Sequence, residues 1–127
     1  TIFTGDVRVK NYYTVDAIVE QGSNANGSYI RYDNGIQICW LKETRNASVT
    51  SASGNIYASG TLVWTFPARF VDTNISVNTS LARYGNVFPL SSNVATSESE
   101  YRFRIGAGSS GTRNNIEISH IAIGRWK

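Results

Sequence analysis

The sequence has almost none of the side chains on which most enzymes rely. It contains one histidine, one cysteine and no methionine in 127 residues. A serine or cysteine nucleophile needs a base, and the only histidine, His120, lies in an alternating strand-like segment, where we expect a structural place on a strand or at a subunit contact. One histidine and one cysteine in separate segments cannot form a zinc-type site, and no loop has the spaced carboxylates of a calcium site. We therefore predict a protein that is not an enzyme and holds no metal or cofactor.

The single cysteine also excludes an intrachain disulfide. Cys39 lies in the apolar segment Ile36–Trp40, which predicts a buried structural thiol. No apolar run approaches the roughly 18 residues that span a bilayer, and the first residues lack the charged and apolar pattern of a secretory signal. We therefore expect no membrane insertion.

A strong charge of one sign is missing as well. The 12 basic and 9 acidic residues give a formal net charge of +3. Nucleic-acid-binding proteins usually cluster basic residues on one face with aromatic residues between them, whereas here the basic residues are scattered among serines and glycines. We expect no nucleic-acid partner.

The chain is rich in residues typical of strands and turns. Glycine, serine, threonine and asparagine are abundant, and strong helix formers are sparse, which predicts an all-β protein of one domain. The clearest element is a hairpin in which Asp33-Asn34-Gly35 joins Ser28–Tyr32 to Ile36–Trp40. Asn-Gly supplies the positive φ angles that tight hairpin turns require. Alternate residues from Ile36 to Trp40 share one face of the second strand.

Alternation of apolar and polar residues predicts further strands. These are Val7–Glu20, Leu62–Phe66, Asn74–Ser80, Tyr101–Ile105 and Ile116–Gly124. The segments predicted as a linker or as loops are Gln21–Gly27, Glu43–Asn55, Arg83–Pro89 and Gly106–Thr112. Six or more short strands joined by turns predict an antiparallel β-sandwich.

The residues alone leave two functional classes open. Two carboxylates from distant strands could form a glycoside-hydrolase pair. Each acidic residue nevertheless has a local explanation, such as Asp33 in a turn and Glu98 beside a strand start. Loops rich in asparagine, serine, glycine and tyrosine fit sugar binding better, because they present aromatic rings and adaptable hydrogen-bonding groups. We therefore expect a binding module.

Three blocks, in order, resemble the C-terminal domains of phage and prophage tail fibres. They are Ser23–Tyr32 with Gln37–Trp40, Trp64–Pro67, and Ile121–Lys127. The likeness covers residues 23–127. The last strand is also similar to that of the H-type lectins, small trimeric β-sandwiches that bind galactose-type sugars. Two positions depart from the lectins: His120 stands where they carry a tryptophan, and Gly108-Ser109 occupy the hairpin that holds a sugar-contacting aromatic residue.

The resemblance implies a homotrimeric tip of a tail fibre on a phage virion. Residues 1–22 would form a lead-in strand or shaft connection, residues 23–127 a lectin-like receptor-binding domain, and Lys127 the natural C-terminus. Such a tip would bind a bacterial surface glycan, lipopolysaccharide or capsule, during adsorption to the host, without cleaving it. Three weak sites on one rigid tip gain strength through avidity.

The expected contacts lie in loops, because loops at one end of a sandwich can converge on a ligand. They are Arg83, Tyr84, Phe88, Ser109, Arg113 and Asn114. Arginine at such a place can bind acidic or phosphorylated sugars. Three alternatives remain: a structural cap that trimerises the fibre, a fragment of a depolymerase, and a domain that binds an outer-membrane protein.

Overall fold

The computed structural model describes residues 17–82, 86–91 and 96–127. Within these ranges the regular elements are strands, and their pairings are antiparallel, which confirms the all-β prediction. The strands are β1 (Ile18–Asn24), β2 (Gly27–Tyr32), β3 (Ile36–Val49), β4 (Ser51–Ser53), β5 (Ile56–Ala58), β6 (Leu62–Thr65), β7 (Ser76–Ala82), β8 (Val87–Ser91), β9 (Glu100–Ala107) and β10 (Gly111–Arg125).

The first sheet has the strand order β1-β2-β3-β10-β7. Its strands β2 and β3 form the predicted hairpin. Gly35 has a φ of 98°, which glycine adopts readily, and its N–H donates to the carbonyl of Tyr32 at 3.0 Å. The side-chain oxygen of Asn34 accepts from the N–H of Ile36 at 3.1 Å. The Asn-Gly turn therefore fixes the register of this hairpin.

The second sheet is built around β9. Gly106 pairs with both β5 and β8, and Phe103 pairs with both β6 and β8. The two partners of one strand residue lie on opposite edges of that strand. It follows that β8 runs along one edge of β9, while β5 and β6 follow each other along the other edge, and β4 adds to β5.

Strand β3 is much longer than the hairpin strand predicted from the sequence. It continues to Val49 and β4 follows, so the prediction of a loop over Glu43–Asn55 is wrong for most of that segment. Along β3, exposed residues alternate with buried or half-buried ones, and Glu43 and Arg45 belong to the inner set. Because Glu43 and Arg45 are polar although they face inward, the sequence does not show the alternation of apolar and polar residues that predicts a strand. Most of β3 pairs with β10, which has 15 residues.

Other predicted linker and loop segments also contain strand. Gln21–Asn24 is the second half of β1 and not a linker. Val87–Ser91 forms β8, where Pro89 is tolerated because β8 pairs only with β9 in the described part of the chain. The glycine- and serine-rich stretch shortens to a turn at residues 108–110, since β9 runs to Ala107 and β10 begins at Gly111.

The remaining strand predictions agree with the structure where it describes them. Strands β6, β7, β9 and β10 occupy the predicted segments with shifted ends. Of the predicted strand Val7–Glu20, only residues 17–20 are described, and Ile18–Glu20 open β1. The rest of that segment lies outside the described residues.

Both sheets contribute side chains to one core. The buried hydrophobic cluster consists of Cys39, Ala47, Val49, Trp64, Phe66, Phe70, Phe103, Ile105, Ala107, Ile116, Ile118 and Ala122. Burial raises the pKa of the Cys39 thiol to about 11, so the thiol stays protonated at neutral pH. The prediction of a buried structural thiol is confirmed.

The C-terminal residues close one end of the domain. The indole N–H of Trp126 donates to the carbonyl of Tyr32 at 2.8 Å, and Nη2 of Arg125 donates to the carbonyl of Asn34 at 3.1 Å. Strand β1 begins at the same end, because Ile18 lies opposite Tyr32. We call this the hairpin end. The turn between β9 and β10 lies at the other end of β10 and marks the loop end.

Gly27 has no room for a side chain. Its φ is 126°, and an added Cβ would lie 2.2 Å from the carbonyl oxygen of Trp40. We expect Gly27→Ala to lower the free energy of unfolding by about 2 kcal/mol or more, through backbone strain and overlap, as measured by urea denaturation. Gly60→Ala is the matched control, because nothing lies within 4 Å of its added Cβ. Equal stability of the two variants would contradict this packing.

Candidate functional site

Two of the segments predicted to bind a ligand lie at the loop end. Strand β8 begins opposite Ala107, the last residue of β9, and β10 begins opposite Val49, the last residue of β3. The start of β8 and the turn between β9 and β10 therefore lie at the same end of the domain. The predicted contact residues placed there are Phe88, Ser109, Arg113 and Asn114. Arg83 and Tyr84 lie outside the described residues.

These four side chains differ in what they offer to a ligand. Ser109 and Asn114 are exposed. Phe88 is 36% exposed and its ring covers Gly106, where an added Cβ would lie 2.5 Å from Cε2 of Phe88. Arg113 is only 9% exposed, and its Nη2 donates to the carbonyl and hydroxyl oxygens of Ser109 at 3.0 and 3.1 Å. The loop end thus presents an aromatic ring, an amide, a hydroxyl group and a recessed guanidinium.

A β-bulge turns Arg113 toward the interior. From Ile116 onward the even-numbered residues of β10 are the inner ones, so an odd-numbered residue of a regular strand would face outward. The register to β3 shifts between Arg113 and Ile116, where two residues of β10 oppose one of β3. Asn115 in this bulge has a φ of 59°, and its N–H donates to Oδ1 of Asn46 at 2.8 Å. Asparagine tolerates this left-handed conformation.

The outer face of the first sheet carries a second feature, which we call the outer apolar patch. It consists of Ile36, Ile38, Trp40, Ile121 and Ile123. Trp40 lies opposite Ile121 on the neighbouring strand and is 39% exposed, while Ile121 is 42% exposed. The predicted common face of the residues from Ile36 to Trp40 is confirmed. That face points to solvent, because Cys39 between them is fully buried.

Two shallow grooves flank the outer apolar patch. One has a volume of about 340 Å³ and lies beside Trp40, over β1 and β2. The other has a volume of about 370 Å³ and lies beside Ile121, over β7 and β10. Their polar lining includes Gln21, Ser23, Ser28, Asn78, Ser80 and Ser119. The face therefore has a ridge formed by Trp40 and Ile121, with a groove on each side.

His120 is enclosed in the core. Its Nδ1 lies 2.9 Å from Oγ1 of Thr79, and its Nε2 lies 2.8 Å from Oε2 of Glu43. The ring stacks on Trp64 with centroids 4.7 Å apart, and Phe103 meets it edge-on at 5.0 Å. A hydroxyl, an imidazole and a carboxylate also make up hydrolase triads. Here the imidazole is 0% exposed, so a substrate has no access to it, and the cluster links β3, β7 and β10.

Glu43 is the acidic member of this cluster. Burial acts to raise the pKa of its carboxyl, but hydrogen bonds from His120 and from Nε of Arg45, at 2.9 Å, outweigh burial and hold the pKa below its ordinary value. Arg45 is fixed in turn by the carbonyl of Val63 and by the ring of Phe103, 5.8 Å from its guanidinium carbon. The core therefore stabilises the ionised carboxylate.

The described ranges contain neither a membrane-spanning helix nor a cluster of metal ligands. No helix in residues 17–82, 86–91 and 96–127 is long and apolar enough to cross a bilayer. No group of three or more histidine, cysteine, aspartate and glutamate side chains in those ranges is placed to hold a metal ion. The expectations of no metal and no cofactor stay predictions.

Comparison with known proteins shows a shared fold. No protein-family model matches the chain, and no curated protein matches it. The chain is similar to a solved structure of the P. aeruginosa R1 pyocin fibre comprising C-terminal residues 323–701, with a TM-score of 0.53 and 17% identity over 84% of this chain and 28% of that one. An N-truncated R1-type pyocin tail fibre gives a TM-score of 0.47 and 17% identity, over 84% of this chain and 86% of that one. The chain thus corresponds to less than a third of the first structure.

Glu43 makes stability depend on pH. Its folded-state pKa lies below the ordinary 4.5 of an unfolded chain, so its stabilisation is complete above that value and is lost as the pH falls through the folded-state pKa. Glu43→Gln should lower the free energy of unfolding by about 1–3 kcal/mol at neutral pH, and its difference from wild type should shrink in acid. Urea denaturation from neutral pH to a pH below 4.5 measures both quantities. Glu98→Gln is the control, because the side chain of Glu98 is more exposed than that of Glu43. A difference that does not change with pH would contradict the role given to Glu43.

Proposed function

We propose that this chain is the receptor-binding tip of a phage-type tail fibre. It binds a glycan of the bacterial surface, lipopolysaccharide or capsule, and does not cleave it. The fold shared with part of a pyocin fibre supports a place in a fibre. The observation that carries the receptor-binding role is the orientation of the domain: the chain enters it at one end, and the predicted contact residues within the described ranges, Phe88, Ser109, Arg113 and Asn114, lie at the other.

The orientation of the domain follows from the place where the chain enters β1. The carbonyl of Ala17 accepts a hydrogen bond from the N–H of Asp33 at 2.8 Å, so the chain enters β1 at the hairpin end. A shaft that precedes the domain would join it there, through the lead-in predicted for residues 1–22, of which Ile18–Gly22 belong to β1. The loop end then points away from the shaft and toward the host cell, at the distal tip of the virion fibre.

The groups at the loop end suit a sugar. The partly exposed ring of Phe88 offers an apolar face to one sugar ring of the glycan, and the amide of Asn114 and the hydroxyl of Ser109 can donate to and accept from hydroxyl groups of other sugar units. The enclosure of His120 leaves its imidazole closed to a substrate, which argues against cleavage by a triad that uses this histidine.

Three copies assemble through the outer apolar patch. Each copy is a β-sandwich of the H-type lectin kind, with its core between the two sheets. Contiguous exposed apolar surface on a soluble domain marks a contact site. The ridge of Trp40 and Ile121 fits a groove of the neighbouring copy, and contacts between unlike parts of one face close into a ring. The trimer then presents three loop ends side by side, so that weak sites act together.

A structural cap is the second candidate function. The outer apolar patch favours it, because a domain that only locks three chains together needs the patch and not the loop end. A cap would form a stable trimer that does not bind to bacterial cells. A receptor-binding tip would adsorb to cells, and purified lipopolysaccharide would compete only if the receptor is that glycan and not an outer-membrane protein.

The trimer depends on Ile121. Ile121→Glu should dissociate it, because a buried unpaired carboxylate costs several kcal/mol. Size-exclusion chromatography with light scattering measures the mass. Val71→Glu is the matched control, because Val71 is 48% exposed and lies outside the outer apolar patch. A monomeric wild-type chain, or a trimer that tolerates Ile121→Glu, would refute this assembly.

Adsorption depends on Asn114. Losing one hydrogen bond of about 1 kcal/mol per site should weaken binding of labelled Asn114→Ala trimers to host cells by roughly fivefold or more, because three sites engage at once. Asn74→Ala is the control, since Asn74 is also exposed but precedes β7 toward the hairpin end. Both variants should melt at the wild-type temperature. Adsorption that Asn114→Ala leaves unchanged would remove Asn114 from the site.

A further inference from the structure

Arg113 is a buried cation that no described carboxylate neutralises. It is 9% exposed. The ion pairs formed between described residues involve Arg31, Arg45, Arg69, Arg102, His120 and Lys127 as the basic partners. Asp6 and Asp16 are the acidic residues outside the described ranges. A guanidinium that is buried without a counter-charge costs free energy, and an anion that arrives from outside removes that cost.

We infer that Arg113 binds a phosphate or carboxylate group carried by the host glycan. The inference rests on the proposed function and deepens it, because it names the charged part of the receptor. The guanidinium of Arg113, at the loop end, would bind an oxyanion that is attached to a sugar.

The donors of Arg113 are only partly used. A guanidinium has five N–H donors. The two hydrogen bonds to Ser109 both come from Nη2, while Nε and Nη1 have no acceptor among the described residues. Nη1 lies against Gly111, where an added Cβ would be 2.8 Å away. Ser109 therefore holds the guanidinium in place and leaves donors free for an oxyanion, which accepts charge-assisted hydrogen bonds strongly.

The bulge in β10 supports a role beyond packing. A regular strand would have turned Arg113 to the outside, where water solvates a cation at little cost. The chain instead keeps a left-handed residue, Asn115, and with it directs the cation inward. Bulges are frequent beside binding sites because they re-aim a side chain, and strained backbone is often found where function requires it.

The chain segment around Arg113 carries no charge other than the guanidinium itself. Residues 108–115 contain no acidic side chain that would repel an anion. Ser110 is exposed in the turn next to Ser109 and offers a hydroxyl group to the uncharged part of a sugar, whereas Thr112 and Asn114 flank Arg113 on β10 and face the opposite side of the strand. The segment can therefore meet an acidic sugar with the charge of Arg113 and with the serine hydroxyl groups of the turn.

Titration of the full chain with four probes tests the inference. The probes are glucose 6-phosphate, galacturonate, glucose and inorganic phosphate, with binding followed by calorimetry and by the Nε–H resonance of Arg113. We expect the two acidic sugars to bind at least about tenfold more tightly than glucose and to shift that resonance. Arg113→Gln should weaken them about tenfold or more, whereas Arg102→Gln, which removes the same charge from a residue paired with Glu100, should keep affinity within about twofold.

Three results would overturn the inference. If no acidic sugar shifts the Arg113 resonance in the wild type, Arg113 only stabilises the turn through its hydrogen bonds to Ser109. This test uses the wild-type chain alone, so it does not depend on whether a variant folds. If inorganic phosphate binds as tightly as glucose 6-phosphate, the assignment to a glycan fails. If Arg113→Gln adsorbs to cells as well as wild type, Arg113 does not contact the receptor, although the proposed function stands.

The proposed function fails in a different way. A wild-type trimer that binds the acidic sugars through Arg113 but adsorbs to no bacterial strain refutes the fibre-tip role while the anion site stands. Strain-selective adsorption that Arg113→Gln abolishes and Arg102→Gln preserves supports both.

Discussion

The pairing of β3 with β10 is the constraint on which the rest of the structure depends. It runs from Arg125 opposite Ile36 to Gly111 opposite Val49, and so connects the two ends of the domain. At one end this register brings the C-terminal residues onto the β2–β3 hairpin. At the other end it places Arg113 and the turn between β9 and β10 at the same end of the domain as the start of β8. On the outer face the same register sets Trp40 beside Ile121, so both the proposed receptor site and the proposed trimer contact follow from one ladder.

The sequence predicts those parts of the fold that a local signal determines. The turn at Asn34-Gly35 fixes its hairpin with neighbouring residues alone, and the all-β class follows from composition. The sequence predicts too short a strand β3 because Glu43 and Arg45 are polar residues on its inner side, and the contacts that keep them there, with His120 and Val63, lie far away in the chain. The candidate site shows the same division: Ser109 lies in the predicted glycine- and serine-rich stretch, whereas Phe88, Arg113 and Asn114 lie in strands β8 and β10. The direction of Arg113 depends on a bulge that only its pairing with β3 defines.

The domain buries polar groups in two physically different ways. Glu43 is surrounded by His120 and Arg45, so each charge or dipole has a partner and the cluster joins three strands within the core. Arg113 has hydrogen bonds only to Ser109 in the described part of the chain, and they leave part of its hydrogen-bonding capacity unused. The closed cluster joins three strands of the fold, whereas the unused donors of Arg113 are the ones that the oxyanion inferred above would occupy.

The hydrogen bonds of the first sheet also decide how the domain carries mechanical load. In the proposed orientation, a tethered particle pulls on the domain at the hairpin end, and the host surface holds it at the loop end. The force then runs along the strands, while the interstrand hydrogen bonds lie across them. The bonds between β3 and β10 are therefore sheared together and are not opened one after another, and the resistance to unfolding under tension is governed by the unfolding rate rather than by equilibrium stability. In the proposed role, the long central ladder would therefore slow the unfolding of this small domain while it holds the particle to the cell.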